Sequence, residues 1–325
     1  MSPFTAIAST AALVVGPHCT FTRNGLVLNN RSTIECYWVD DITGFDSPER
    51  GITDQASVEE TGGLADPGFY GLRTMTLSGY VQAGSYLRAM VMHRALLDSC
   101  VGLKESPMTI GTLAGAGSVF TQPDVYVDCR PSGIVSPFNI QPGFITGLFK
   151  VPFTITLRAS DPTYKSLIEQ HVSLVPLVVS STGMTFDVAF DMFFNTALNS
   201  QGNPVPGTSG NIVVVTNSGN FDAPVRLRLT GPMTGVVLRN DTTDQTMYFT
   251  NLTAGEYVEV DTHSQRGSVR DQTGELKASL LDDRSDWITL HGAYDGFSGA
   301  NTLTLYVDSF DAGALVDVWY RNTSV

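Results

Sequence analysis

The stretch FTITLRASDPTY, residues 153–164, contains the clearest secondary-structure signal of this chain. Apolar side chains stand at every second position from 151 to 157, while Thr154 and Thr156 point the other way. This period of two is typical of a β-strand with one buried face. Asp161-Pro162 ends the strand, because proline has no backbone N–H to donate to a neighbouring strand.

Length and composition indicate a folded protein without a membrane-inserted segment. The chain has 325 residues, of which 42% are hydrophobic and 16% charged, enough for two cores or one large β domain. No apolar run reaches the roughly 18 residues that a membrane helix needs. The apolar segment 6–15 has no Lys or Arg before it, so we expect a first strand there rather than a signal peptide. We therefore expect the protein to fold in the cytoplasm where it is made.

Charge and cysteine spacing exclude two further classes of site. The formal charge is −13 and the pI near 4.6, so phosphate backbones are repelled and we expect no stable nucleic-acid binding. The cysteines include no CxxC pair, which argues against a zinc or redox motif and favours buried thiols, with a disulfide left open. The four cysteines are Cys19, Cys36, Cys100 and Cys129.

The first half of the chain combines strands with one helix. Asn24-Gly25 between apolar residues predicts a two-residue hairpin turn, since both residues tolerate positive φ. We predict strands at 34–39 and 72–81, the second with Met75 and Leu77 on one face. The Gly-, Asp- and Pro-rich segment 42–69 predicts an exposed loop.

The helix is predicted over residues 85–100, with Ser85 as its N-cap and Gly102 as its stop. Since its surroundings are β, we expect it to pack on one face of a sheet. The side chains expected on its packed face recur at helical spacing. They are Leu87, Met90, Val91, Arg94 and Leu97.

The second half has an unbroken β pattern. Residues 199–210 (NSQGNPVPGTSG) are the most loop-like part of the chain and predict a linker or a long connection. Short strands separated by turn residues then recur at intervals of about 8–12 residues, which indicates an antiparallel β-sandwich. The predicted strands are 225–229, 236–238, 247–249, 257–260, 276–280, 287–290, 303–307 and 315–320.

Motifs of catalysis, cofactor binding and metal binding are missing from the sequence, so we predict no site of these kinds and no enzyme activity. The glycines at 115–117 lack the third glycine of a dinucleotide fingerprint and predict a flexible loop. The acidic run 282–286 lacks the glycine and distal glutamate of a calcium loop, and predicts a solvated hairpin tip. Asp40-Asp41 could supply only one of the two catalytic carboxylates of a glycosidase, because adjacent residues of a strand point to opposite faces. We expect a strand end there.

Aromatic residues of the second half leave one binding hypothesis open. Trp287 and Trp319 fall on predicted strands, and we expect both in the sandwich core. If exposed, Trp287 together with Tyr294 is a candidate sugar contact. The five histidines are scattered without paired spacing, and His93 in the helix is compatible with a surface position or a ligand role.

Several segments, in the same order, resemble the distal tail proteins of long-tailed, non-contractile bacteriophages. In the first half these are Ile42-Thr43-Gly44 with Pro48 and Arg50, then the strand with Gly71, Arg73 and Thr76-Leu77-Ser78-Gly79, then the helix, then Asp161-Pro162. In the second half they are Asn217-Ser218-Gly219-Asn220, Ala223-Pro224 and Gly231-Pro232. The chain departs from the family at 297–301, where the family has a "PG-x-N" turn.

The resemblance implies a mostly β protein of two domains. Residues 1–165 would form a belt domain, strands plus one helix packed on a sheet, which assembles into a hexameric ring at the end of the tail tube. Residues 166–325 would form a galectin-like antiparallel sandwich. The implied partners are further copies of the chain, the tail tube protein, the tape-measure protein and the tail-tip or receptor-binding proteins, and the implied location is the virion tail.

Two other functions stay open beside this structural role. In the first, the second domain is a lectin-like module that binds host cell-wall sugar, either instead of the structural role or in addition to it. A glycoside hydrolase on a β-sandwich would need two carboxylates facing each other in a cleft.

Overall fold

The computed structural model describes residues 19–30, 33–46, 48, 50–51, 55–56, 63–64, 69–112, 124–137, 141–142, 147–176, 211–263 and 267–325. The predictions for 6–15, 115–117 and 199–210, and most of the loop 42–69, lie outside these residues. The chain divides into two compact units, Met1–Pro162 (unit 1) and Thr163–Val325 (unit 2).

Unit 1 consists of strands and one α-helix in its described part. The elements are β1 (Cys19–Arg23), β2 (Leu26–Leu28), β3 (Cys36–Thr43), β4 (Arg50–Gly51), β5 (Gln55–Ala56), β6 (Gly63–Leu64), β7 (Phe69–Tyr70), β8 (Arg73–Ala83), α1 (Tyr86–Ser99), β9 (Ser106–Thr112), β10 (Val125–Val135), β11 (Gln141–Pro142) and β12 (Phe149–Ala159). No helix in the described parts of the chain is long and apolar enough to cross a membrane.

Seven strands of unit 1 form an antiparallel sheet in the order β2-β1-β9-β10-β12-β8-β3, while β4 pairs with β7 and β5 with β6. Its longest ladder pairs β8 with β12 from Ala83–Phe149 to Arg73–Ala159. Met75, Leu77 and the odd-numbered residues of 151–157 are buried on one face of this ladder. The period-two prediction for 153–164 and for 72–81 is therefore confirmed.

In unit 1 the predicted hairpin turn is present, whereas the predicted strand end at residues 40–41 is not. Asn24 and Gly25 have φ of 49° and 77° between β1 and β2, which confirms the hairpin. Asp40-Asp41 was expected at a strand end, but β3 continues to Thr43 with a register shift between Val39 and Asp41. A β-bulge inserts one residue without ending the pairing, so both carboxylates stay inside the strand and exposed.

The helix forms where the sequence predicts it, with Ser85 extended and its Oγ accepting from the Arg88 N–H at 3.3 Å. It packs on β8 and β12, but with a different face from the predicted one. The buried side chains are Ala89, Met92, His93 and Leu96, while Leu87 and Val91 are exposed. The prediction of the packed face was wrong because the helix has two apolar stripes, and periodicity alone does not rank them.

Unit 2 consists of short strands and one 3₁₀ turn in its described part. The elements are β13 (Tyr164–Ser166), β14 (Gln170–Leu174), β15 (Ile212–Thr216), β16 (Ala223–Thr230), β17 (Met233–Thr234), β18 (Val237–Asn240), β19 (Gln245–Tyr248), β20 (Tyr257–Asp261), β21 (Ser268–Asp271), η1 (Ala278–Leu280), β22 (Thr289–Leu290), β23 (Ala300–Tyr306), β24 (Ser309–Phe310), β25 (Leu315–Tyr320) and β26 (Thr323–Ser324).

Two antiparallel sheets share the core of unit 2. One has the order β14-β25-β16-β20-β21, with β22 beside β16, and the other the order β15-β23-β18-β19. Alternating residues of both sheets, among them Leu227, Val318, Leu238 and Leu303, are buried in one hydrophobic cluster. This confirms the predicted antiparallel sandwich.

The predicted strand at 276–280 is wrong. Leu276 forms only an isolated bridge with Arg270 of β21, and residues 278–280 form the 3₁₀ turn η1, because the chain turns sharply after β21. The Asp271 carboxylate accepts the backbone N–H groups of Thr273 at 2.8 Å and Glu275 at 3.1 Å and so fixes that turn. A side-chain cap of this kind competes with strand formation.

We predict that Gly79→Ala destabilises unit 1 by about 3 kcal/mol, since overpacking forces the backbone to shift. An added Cβ at Gly79 would overlap the backbone carbonyl oxygen of Trp38 on β3. Gly133→Ala is the control, because a Cβ there has open space, and it should change the unfolding free energy by less than about 1 kcal/mol. Urea unfolding followed by circular dichroism measures both, and equal stabilities of the two variants would contradict the packing described.

Candidate interaction surfaces

Helix α1 is fixed on the sheet of unit 1 by polar contacts as well as by its apolar face. Tyr37 of β3 donates its hydroxyl to the Met92 carbonyl at 3.1 Å. Arg23 of β1 donates from Nη1 to the Ser99 carbonyl at 2.7 Å, where the helix ends. These contacts, at different points along the helix, set which side faces the solvent.

His93 holds the middle of the helix to the residue after β10. Its Nε2 lies 2.6 Å from Ser136 Oγ, and that hydroxyl donates its proton to the Pro152 carbonyl at 2.9 Å. Ser136 therefore accepts from a neutral His93 that is protonated on Nε2. Burial lowers the pKa of His93, since the charged form loses hydration.

The outward side of α1 is apolar. Leu87 is 72% exposed and Val91, one turn later, 52%. Tyr86 is exposed at the helix start, and Ile34 is exposed next to Glu35, whose carboxylate pairs with Arg88 at 2.9 Å. We call Ile34, Tyr86, Leu87 and Val91 the helix plate.

Charges around the helix plate are balanced. Arg88 pairs with Glu35, and Arg94 pairs with Asp98 at 3.1 Å in the i, i+4 arrangement that suits a helix. The outer side of α1 is thus close to neutral in a chain with a formal charge of −13. A face with exposed apolar side chains and balanced charges is typical of protein–protein contacts.

A second exposed apolar element follows the helix. Val101 is 73% and Leu103 85% exposed in the connection to β9. We call residues 101–103 the apolar loop. This element was not predicted, although the sequence contains a signal for it: apolar residues directly after the helix, in an otherwise polar connection.

Trp319 was predicted in the core of the sandwich, but it lies on the outward side. Val316 and Val318 are buried, so alternation turns Trp319 outward. The His171 ring stacks on the indole at 5.0 Å, and the Arg226 guanidinium carbon lies 4.9 Å from the ring centroid. These cross-strand neighbours on β14 and β16 hold the indole between them.

Trp287 was also predicted in the core and is 43% exposed, because β22 begins only at Thr289. An added Cβ at Gly267 would lie 3.5 Å from the indole, so the ring rests on the backbone of that glycine. The same glycine lies beside the His263 carbonyl, and His263 Nε2 is 3.4 Å from Lys165 Nζ. An exposed indole beside polar groups is a suitable platform for a sugar ring.

Tyr294, the second candidate sugar contact, has different surroundings. Its hydroxyl donates to Asp222 Oδ1 at 2.9 Å, and its ring stacks on His291 with 4.4 Å between centroids. The Tyr294 hydroxyl is therefore engaged within the protein. Of the two predicted sugar contacts, the structure leaves Trp287 the more accessible.

The acidic run 282–286 forms an internal ion pair. Arg284 donates from Nε and Nη2 to the two carboxylate oxygens of Asp282, each at 3.0 Å. These hydrogen bonds lower the pKa of Asp282 to about 2. Within the described ranges no group of three or more His, Cys, Asp or Glu side chains is placed to hold a metal ion.

Comparison of the whole fold with solved structures gives a match over almost the full chain. The SPP1 Dit protein, whose structure is described as a paradigm of the hub adsorption apparatus in phages that infect Gram-positive bacteria, matches with a TM-score of 0.59 and 12% identity, over 94% of this chain and 99% of that one. The chain has the Dit fold. This confirms, at the level of fold, the resemblance seen in the sequence.

Two phage P2 baseplate structures, both in the activated conformation, have lower scores. The one with Ca has a TM-score of 0.45 and 9% identity, covering 94% of this chain and 98% of that one. The one with Sr has a TM-score of 0.45 and 10% identity, covering 93% and 97%. No protein-family model and no curated protein sequence matches this chain.

We predict that acidification loosens α1 through His93. Because burial lowers the folded-state pKa, the unfolded chain binds the proton first, near its ordinary pKa of about 6.5. Stability associated with the neutral histidine is complete above that pH and falls as the pH drops below it. Unfolding free energies of the wild type and of His93→Gln, measured between pH 8 and 5, should therefore converge on acidification; a constant difference would contradict this role.

Proposed function

We propose that this chain is the distal tail protein of a long-tailed, non-contractile bacteriophage. The observation that supports this is the likeness of fold to SPP1 Dit over 94% of this chain and 99% of that one. A match that covers both units, in one chain order, favours the same architectural role rather than a shared module.

In this role unit 1 is the belt that assembles into a hexameric ring at the end of the tail tube, and unit 2 is a galectin-like sandwich. The ring contacts the tail tube protein and the tape-measure protein and serves as a hub for the tail-tip or receptor-binding proteins. The protein acts as a scaffold in the virion tail, without catalysis, after assembly in the host cytoplasm.

The charge of the chain suits a ring through which DNA passes. Lysine and arginine contacts to phosphates release counterions and hold DNA, whereas an acidic wall repels it. The formal charge of −13 therefore favours passage without adhesion. A neutral or basic inner wall of the ring would count against this part of the proposal.

We predict that antibodies against this chain label the end of the tail farthest from the capsid in intact virions. The position of the label is measured by immunogold electron microscopy of virions purified from infected cells that produce the chain. Antibody that has been incubated with the purified chain before labelling is the control and should give no label. Label on the capsid, or no label on tails that contain the chain by mass spectrometry of the particles, would contradict the proposal.

A second function, sugar binding by unit 2, is favoured by one observation: the exposed indole of Trp287 resting on Gly267. Aromatic faces with an apolar body and a polar rim suit the alternating C–H and O–H surfaces of a sugar ring. The ligand would be a glycan of the host cell wall, and this binding is compatible with the scaffold role.

We predict that Trp287→Ala abolishes retention of the full chain on insoluble cell-wall polysaccharide. Phe297→Ala removes an aromatic ring of similar exposure and is the matched control, which should bind like the wild type. Pull-down followed by quantitative gel densitometry measures the bound fraction. Equal retention of both variants, or no retention of the wild type, would remove the sugar hypothesis.

A further inference from the structure

We propose that copies of this chain join head to tail through α1, with the apolar loop of one copy packed on the helix plate of the next. This inference rests on the proposed ring and names the surfaces that close it. It concerns Leu87 and Val91 on the plate, and Val101 and Leu103 on the loop.

Exposure of these side chains is the first argument. Leu103 is 85% exposed and Leu87 72%, although α1 already buries its other side against the sheet. Large apolar side chains grouped on the helix plate and on the apolar loop form two patches, unlike the single exposed apolar residues that are normal on a surface. Burying such side chains against each other removes this apolar area from water.

Charge indicates that the occupant is a second copy. Copies that each have a formal charge of −13 repel one another, so self-association needs a surface where charge is balanced. The plate meets this condition, since Arg88 and Arg94 are each paired with a carboxylate. The loop is followed by the exposed Lys104, whose positive charge lessens the repulsion from an acidic neighbouring copy.

The separation of the two surfaces indicates a head-to-tail contact. The plate lies at the start of α1 and the loop directly after its end, and a helix of 14 residues is about 20 Å long. A contact between plate and plate would be two-fold and would stop at a dimer. A contact between plate and loop leaves one free surface on each partner, and its repetition gives a ring when the rotation from copy to copy adds up to a full turn.

The test uses the full chain with one glutamate on either surface. Leu87→Glu disables the plate and Leu103→Glu disables the loop, while Ile168→Glu, at an exposed apolar position of unit 2, is the control for the added charge. Since all three side chains are exposed, circular dichroism melting should show unchanged folding. Size-exclusion chromatography with light scattering measures the mass of each variant and of an equimolar mixture of the first two.

We expect the wild type and Ile168→Glu to form rings, and each of the other variants to associate at least about 30-fold more weakly, as for central interface residues. Mixing Leu87→Glu with Leu103→Glu should restore dimers but no larger species, since one intact plate meets one intact loop. This complementation is specific to a head-to-tail contact.

Three results would overturn the inference: rings formed by Leu87→Glu alone, rings formed by Leu103→Glu alone, or a wild type that is monomeric at every concentration. None of these affects the immunogold result, which tests the position of the chain in the virion. Tail-end labelling with a monomeric wild type would retain the proposed function and reject these surfaces.

Discussion

The antiparallel pairing of β8 with β12 is the interaction on which unit 1 depends. Its register places Met75 and Leu77 beside Leu157 and Ile155 on one buried face, while Ser78 and Thr154 hydrogen-bond on the other at 3.2 Å. A sheet with one apolar face needs a cover, and α1 supplies it. Because the sheet buries only one side of α1, the second apolar stripe of the helix stays in contact with solvent.

Much of this fold was predictable from residue periodicity. Alternation identified β8, β12, β16 and β25, and Asn24-Gly25 identified the first hairpin, because local backbone preference and burial agree at these places. The sequence did not reveal that residues 276–280 contain one isolated bridge and a 3₁₀ turn instead of a strand. Here the Asp271 carboxylate binds backbone N–H groups, and such a side-chain effect does not show in a hydrophobicity pattern.

The candidate surfaces were less predictable, since they depend on which of two similar faces is covered. Leu87 and Val91 have the spacing of a core stripe, yet Ala89, Met92 and Leu96 occupy the core. Hydrogen bonds from Tyr37 and Arg23 to carbonyls of the helix fix which side packs on the sheet, and a hydrophobicity pattern does not contain this information. The tryptophans are the converse case: their size suggested burial, whereas strand alternation places Trp319 outside and the late start of β22 exposes Trp287.

In the proposed ring, a neighbouring copy covers the stripe of α1 that its own sheet leaves uncovered. A three-dimensional cryo-electron microscopy reconstruction of the assembled protein tests this most directly. We expect continuous density between the outer side of α1 in each subunit and the chain segment that follows α1 in the adjacent subunit. A closed ring in which the outer side of α1 faces solvent in every subunit would contradict this contact between copies.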